Sequence, residues 1–261
     1  MHAQFRPQWH FTPPQGWAND PNGLVYTHGQ YHLFYQHHPN DTVWGPMHWG
    51  HAVSRDLVTW QHQPIALYPD DRGMIFSGSA VEDTDNTSGM GAGTVFAIYT
   101  YHSDAAHGAE SIALATSQDG LTFAPYPGNP ILPNPGVDDF RDPKVVWDAR
   151  RSQWVMVLAV GDHVAFYTSA NLLRWQVVGQ FYDREASPGV WECPDLFPMQ
   201  TQEGVRWVLI VSHNPGRKEG GSKTTYYVGA VSYTHLRRLL PRRGRRYPAR
   251  CGGIRRSTFG P

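Results

Sequence analysis

A chain of 261 residues with 26 Gly, 21 Pro and 13% aromatic side chains is poor in helix formers and rich in strand and turn residues, which favours an all-β fold in one large domain. The 22 basic and 22 acidic residues balance, but nine Arg fall between Arg237 and Pro261. The preceding residues therefore carry a net charge of −9 and no basic stripe, which argues against a nucleic-acid partner.

Strand-like segments recur in units of about fifty to sixty residues along the chain. Each unit opens on a polar cluster that leads into a short strand: "NDPNGLVY", "FSGSAVED", "FRDPKVVWD" and "WECPDLFPM". A longer apolar run follows in each, at "QYHLFYQ", "TVFAIYTY", "QWVMVLAV" and "RWVLIVS". Three units continue into similar turns, "SRDLVTW", "SQDGLTF" and "SANLLRW". This repeat of several antiparallel strands predicts a β-propeller, with a β-sandwich as the alternative.

The four opening segments carry the candidate chemistry. In a propeller the first strand of each blade lines the central channel, so Asp20, Ser77, Asp142 and Glu192 are expected to meet at one rim. Three of these residues are carboxylic acids. Two carboxyl groups on either side of a glycosidic bond can hydrolyse it, and a third can stabilise positive charge. The repeat therefore predicts a glycosidase pocket.

Aromatic and cationic residues near the same segments complete the predicted pocket. We expect flat faces for sugar rings from five side chains: Trp17, Trp44, Trp49, Phe76 and Trp191. Arg141 is expected to orient Asp142 and to donate to sugar hydroxyls. We interpret Cys193 as a buried packing residue. The 14 His include no H-E-x-x-H pattern, so no metal site and no cofactor are predicted.

Six motifs in order resemble a known family. "WANDPNG", "FYQ", "WGPMHWGH", "FSGS", "FRDPKV" and "WECPDLF" are similar to those of glycoside hydrolase family 32, the β-fructofuranosidases. The resemblance runs from about Trp9 to about Gly229 and is closer to levanases and exo-inulinases than to sucrose-6-phosphate hydrolases. It implies a five-bladed propeller followed by a β-sandwich. Only about four blades have a counterpart in this chain, and the C-terminal sandwich has none.

The resemblance also implies roles for individual residues. Asp20 would be the nucleophile, Glu192 the general acid and base, and Asp142 the stabiliser of the transition state. The carboxyl groups of Asp20 and Glu192 should then lie roughly 5 to 5.5 Å apart, as in retaining enzymes. Further positions match those that shape the pocket for the terminal fructose: Asn19, Gln36, Trp44, Phe76, Ser77 and Arg141.

The implied activity is release of terminal fructose from levan, inulin or sucrose without a cofactor. An invertase that prefers sucrose and an inactive propeller that binds fructans are the alternatives. We expect residues 1–230 to form an incomplete propeller and residues 231–261 to be a basic tail of frame-shifted or artefactual origin. An incomplete ring would leave strand edges unpaired, so the chain made alone is expected to be poorly soluble or inactive.

The expected location follows from signals that the sequence lacks. No apolar run reaches the ~18 residues of a membrane span, and Met1 to Phe5 has neither the basic start nor the apolar core of a signal peptide. We therefore expect a cytoplasmic protein as the sequence is written, with no membrane partner. A signal upstream of Met1 would make it secreted instead. The oligomeric state stays open.

Overall fold

A computed structural model describes residues 6–7, 9–103, 109–183, 189–215, 221–232, 235–238 and 258–259. All regular elements in these residues are β-strands, which confirms the predicted all-β class. No helix that is long and apolar enough to cross a membrane occurs in the described part.

The strands form four antiparallel sheets, and in each sheet neighbours along the chain pair with each other. The first sheet holds β1 (Trp17–Thr27), β2 (Gln30–His38), β3 (His48–Ser54) and β4 (Trp60–Leu67). The second holds β5 (Met74–Asp83), β6 (Thr94–Ser103), β7 (Ala109–Ser117) and β8 (Ala124–Pro125). The third holds β9 (Phe140–Asp148), β10 (Gln153–Val160), β11 (His163–Ser169) and β12 (Gln176–Phe181). The fourth holds β13 (Val190–Thr201), β14 (Gly204–Asn214), β15 (Lys223–Ser232) and β16 (His235–Arg238), and β17 (Thr258–Phe259) also pairs with β15.

The apolar runs identified in the sequence are the second strands of the sheets: β2, β6, β10 and β14. Most of their residues are buried, because successive sheets pack face to face. The second and third sheets are covered on both faces, and the first and fourth pack against one described neighbour each. The resulting core has three clusters. One contains Phe34 and Tyr99 of the first two sheets, the next contains Phe96 and Met156, and the last contains Val157 and Leu209.

The first strands of successive sheets lie next to each other, since β1 contacts β5, β5 contacts β9 and β9 contacts β13. This order around a shared axis is that of propeller blades, so the predicted propeller with four blades is confirmed, and the sandwich alternative is not needed. The predicted boundary at residue 230 lies within β15. Most of the basic tail lies outside the described residues, so its origin and that boundary stay predictions.

Each opening strand has an irregular register close to its predicted site residue. The shifts fall between Ala18 and Pro21 in β1, between Phe76 and Gly78 in β5, and between Glu192 and Asp195 in β13. In the third blade the shift opposes the stretch that holds Asp142. Bulges re-aim side chains and often lie beside functional sites. Here they turn one side chain of each blade toward the axis.

Candidate active site

A cavity of about 900 Å³ opens where the four first strands meet. All nine site residues predicted from the sequence line it: Asn19, Asp20, Gln36, Trp44, Phe76, Ser77, Arg141, Asp142 and Glu192. The structure thus brings together residues that are up to 173 positions apart in the sequence. Asp20, Ser77, Asp142 and Glu192 meet because each occupies the equivalent place in the first strand of its own blade.

Asp20 is the half-buried acid of the first blade. Its Oδ2 accepts a hydrogen bond of 2.7 Å from the hydroxyl of Ser77, which is the equivalent residue of the second blade. The thiol of Cys193 on the fourth blade lies 3.6 Å from the same oxygen. These contacts fix one carboxylate oxygen of Asp20, and the other oxygen has no protein donor among the described contacts.

Asp142 is the buried acid of the third blade, and its backbone has a φ of 61°. Its Oδ2 accepts a hydrogen bond of 2.8 Å from the backbone N–H of Cys193. Its own N–H donates to Thr100 Oγ1 at 3.0 Å. Burial raises the pKa of Asp142 to about 7, and the nearby charges of Asp20 and Glu192 act in the same direction. The N–H of Cys193 and the guanidinium of Arg141 offset only part of this effect.

Glu192 is the acid of the fourth blade, and Arg141 connects it to the third. Nη2 of Arg141 lies 3.1 Å from Oε1 of Glu192, while its Nη1 contacts Asp139 at 2.6 Å and Glu110 at 3.1 Å. Burial disfavours the charge on Arg141, but the surrounding carboxylates, led by Glu110, outweigh burial and raise the pKa of this group. The guanidinium therefore stays charged and bridges two walls of the cavity.

The remaining predicted residues form the walls. Trp44 is 53% exposed and meets Phe76 edge to face, with ring centroids 6.2 Å apart. Gln36 is buried and donates to the carbonyl of Ile75 at 2.9 Å, which ties the first blade to the second. Asn19 accepts a hydrogen bond of 2.8 Å from the Trp17 indole.

The structure corrects the expectations for three aromatic residues. Trp49 is fully buried and donates its indole N–H to the carbonyl of Phe76 at 3.0 Å. Trp191 is 1% exposed and stacks on Tyr227. Trp17 does not line the cavity. None of the three offers a face to a ligand in the cavity, so Trp44 and Phe76 are the predicted aromatics that do.

Cys193 also differs from its interpretation as a buried packing residue. The residue is exposed, lines the cavity and has a φ of 46°. That backbone conformation points its N–H at Asp142 while its thiol lies beside Asp20. Although the residue as a whole is exposed, the cavity walls desolvate its sulfur. This desolvation and the surrounding carboxylates raise the pKa of the thiol, so it stays neutral.

Several lining residues were missed by the sequence analysis. Glu110 at the start of β7 is 4% exposed, His102 stacks on Phe76 at 4.3 Å, and Asp139 precedes β9. Glu110 and His102 belong to no recognised motif, so no sequence pattern indicates them. Among the described residues, no group of three His, Cys, Asp or Glu side chains could hold a metal ion.

Comparison with known proteins identifies the family. The model of the glycosyl hydrolases family 32 N-terminal domain matches residues 10–246. The chain belongs to glycoside hydrolase family 32. It is 52% identical over 244 residues to a levanase of Bacillus subtilis, covering 91% of this chain and 36% of the levanase. It is 41% identical over 249 residues to an invertase of Schizosaccharomyces pombe, covering 90% of this chain and 42% of the invertase.

A solved structure has the same fold. The crystal structure of an exo-inulinase from Aspergillus awamori superposes with a TM-score of 0.82 at 38% identity, covering 89% of this chain and 51% of the inulinase. The chain therefore spans less than half the length of the curated levanase and invertase and about half of the solved inulinase. The family 32 propeller and the resemblance stated from the six motifs are confirmed.

Proposed function

We propose that this protein is a retaining exo-acting β-fructosidase that releases terminal fructose from levan, inulin or sucrose. The observation that carries the proposal is the convergence of Asp20, Asp142 and Glu192 in one cavity. The similarity to a levanase, an invertase and an exo-inulinase supports a fructose-containing substrate.

In the first step, an Asp20 oxygen attacks the anomeric C2 of the terminal fructose. The bond from C2 to the bridging oxygen breaks, and Glu192 gives its proton to that oxygen as it leaves. Ser77 holds one oxygen of Asp20 at 2.7 Å and so orients the carboxylate for the attack. The product of this step is a fructosyl ester on Asp20 and a shortened sugar chain.

In the second step, water adds to C2 and the Asp20 ester bond breaks. Glu192, now ionised, takes a proton from that water, which restores both groups to their starting states. Asp142 binds fructose hydroxyls on the other side of the cavity. Because the pKa of Asp142 is about 7, its carboxyl group can donate to a hydroxyl at acidic pH and accept from one at alkaline pH.

Two alternatives differ from this proposal in measurable ways. An invertase-type enzyme would act faster on sucrose than on polymers, so the ratio of the two rates separates it from a fructan hydrolase. A fructan-binding propeller would bind without turnover. The presence of all three carboxylates in one cavity favours an enzyme, since a binding site has no need of a nucleophile and an acid together.

The test measures fructose release from sucrose, inulin and levan by the protein and by Asp20→Asn and Glu192→Gln. Because the described blades already assemble the cavity with its three carboxylic acids, we expect release by the parent protein, against the expectation from the sequence that the chain made alone is inactive. We expect a loss of at least ~10³-fold in Asp20→Asn and a loss of about 10²–10⁴-fold in Glu192→Gln. Intrinsic tryptophan fluorescence, to which the exposed Trp44 at the cavity contributes, measures binding in parallel. Binding with no release by the parent protein would support the binding alternative, and equal rates in all three proteins would contradict the assigned roles.

A further inference from the structure

We propose that Glu110 is a positioning residue that holds the Arg141 guanidinium against Glu192, and that this anchoring affects the pH dependence of glycoside cleavage. This inference rests on the proposed function, because it concerns the general acid of that reaction. Glu110 is on the third strand of the second blade, outside every opening segment from which the site was predicted.

Glu110 is a buried carboxylate with a full set of donors. Its Oε2 accepts a hydrogen bond of 2.7 Å from the backbone N–H of Phe140. Nη1 of Arg141 lies 3.1 Å from Oε1 and 3.3 Å from Oε2, and His102 Nδ1 lies 3.5 Å from Oε1. The side chain is only 5% exposed. A buried carboxylate is costly unless it is paired and hydrogen-bonded, and these contacts meet that requirement.

The first consequence concerns the position of Arg141. Its Nη1 is held by Glu110 and Asp139, which leaves Nη2 directed at Glu192 at 3.1 Å. A guanidinium is planar and rigid, so anchoring one nitrogen also orients the other. Without Glu110, Arg141 would keep only the more exposed Asp139 as an anchor on that side.

The second consequence concerns charge. Glu110 neutralises part of the Arg141 charge and also adds a negative charge on the same side of the cavity as Glu192. Asp20 on the first blade and Asp142 on the third blade also face Glu192 across the cavity. Removing the charge of Glu110 leaves the positive charge of Arg141 less balanced beside Glu192, and we expect this to shorten the pH range in which cleavage is efficient.

The third consequence concerns the backbone that carries Asp142. Glu110 binds the N–H of Phe140, two residues before the left-handed conformation of Asp142. It also contacts His102, whose ring stacks on the wall residue Phe76 at 4.3 Å. One buried carboxylate thus joins the second blade, the third blade and the wall of the pocket.

The test compares the pH dependence of kcat and KM in the parent protein and in Glu110→Gln. The amide keeps the size of the side chain and an acceptor for Phe140 but loses the charge. We expect the alkaline limb of the kcat profile to move to lower pH by about 0.5–1 unit. We also expect kcat at neutral pH to fall by about tenfold with little change in KM, because the described polar contacts of Glu110 are to Phe140, Arg141 and His102 and the amide keeps the size of the side chain.

Two controls separate positioning from a merely structural role. Asp83→Asn removes a buried acid of the same blade that accepts bonds from Thr87 and Ser88 far from the cavity lining. It should lower thermal stability and leave the pH profile in place. Asp139→Asn removes the other anchor of Arg141 Nη1 and should move the alkaline limb in the same direction by less, because Asp139 is more exposed.

The outcomes distinguish the two proposals. If the parent protein is active and the alkaline limb of the kcat profile does not move in Glu110→Gln, the role of Glu110 is wrong and the proposed function still holds. A parent protein that releases no fructose overturns the proposed function, and this inference falls with it. If Glu110→Gln does not fold, the test uses Asp139→Asn, which loses the other anchor of Arg141. A shift of the alkaline limb of its kcat profile to lower pH supports the inference, and an unchanged limb contradicts it.

Discussion

The inner and outer ends of the blades use the same repeat in opposite ways. At the outer end, the third strand of three blades ends in the same turn. The last residue of each of these strands is a serine: Ser54, Ser117 or Ser169. Its hydroxyl donates a hydrogen bond to the Asp or Asn side chain two residues later. That Asp or Asn side chain also accepts hydrogen bonds from two backbone N–H groups that follow it. At the inner end, the equivalent positions hold residues of different types that make different contacts: Asp20, Ser77, Asp142 and Glu192.

The electrostatics of the two ends differ in the same way. Backbone N–H donors lower the pKa of Asp56 and of Asp119 to about 2, so these turn acids are ionised and satisfied. Burial and neighbouring acids raise the pKa of Asp142 to about 7 at the inner end. The outer turns therefore share one Ser-x-Asp or Ser-x-Asn pattern that stabilises the fold. The opening strands carry different residues at their equivalent positions, and these residues form the candidate site.

Among the variants that test this comparison, Asp142→Asn has the largest expected effect. We expect fructose release to fall by about 10³-fold, because the transition state loses a nearby carboxylate. A raised folded-state pKa means that ionisation of Asp142 costs stability as pH rises from about 4 to about 7. The amide removes that cost, so the free energy of unfolding should rise by up to about 4 kcal/mol at pH 8 and change little at pH 4.

Chemical denaturation at the two pH values, with fructose assays alongside, checks this prediction. Asn can still accept from the N–H of Cys193, so the contact at 2.8 Å is retained. A variant that is less stable than the parent at pH 8 would contradict the account of Asp142.

A smaller effect is expected at the outer turns. Asp119→Ala removes the acceptor of the Leu121 and Thr122 N–H groups and should lower the free energy of unfolding by about 1 kcal/mol at pH 7, with kcat unchanged. The depressed pKa of Asp119 means that its charge stabilises the fold above about pH 4 and stops doing so as pH falls toward 2. The penalty should therefore shrink at pH 2.

Asp119→Asn is the matched control, since Asn171 makes the same turn in the third blade. Thermal unfolding of the two variants at both pH values measures the difference. Loss of kcat in Asp119→Ala would contradict the separation of the two ends.

The smallest effect concerns the residue after each turn acid. Leu57, Gly120 and Leu172 occupy this position with φ values of 64°, 72° and 65°. Leu57 is 47% exposed, so Leu57→Gly removes backbone strain with little loss of packing. We expect a gain of about 0.5 kcal/mol in the free energy of unfolding. Leu57→Ala, which keeps the strained backbone and loses the same packing, should show no gain.

The same comparison explains which features could be predicted from the sequence. The buried second strands and the opening acids follow from apolar runs and from repeat position, so both could be found without coordinates. The burial of Trp191 was missed, although successive side chains of a strand point to opposite faces and Glu192 faces the cavity. Glu110 could not be found, because its place beside Arg141 depends on how β7 packs against β9.

The most direct test of the central claim is intact-mass analysis of Glu192→Gln after exposure to β-fructofuranosyl fluoride. Fluoride leaves without help from an acid, so Asp20 can form its ester, while the second step stalls for lack of a base. A single turnover is enough for this measurement. The account predicts a mass increase of one fructosyl group, and peptide mapping that places it on Asp20. An unmodified protein, or a fructosyl group on any other residue, would contradict it.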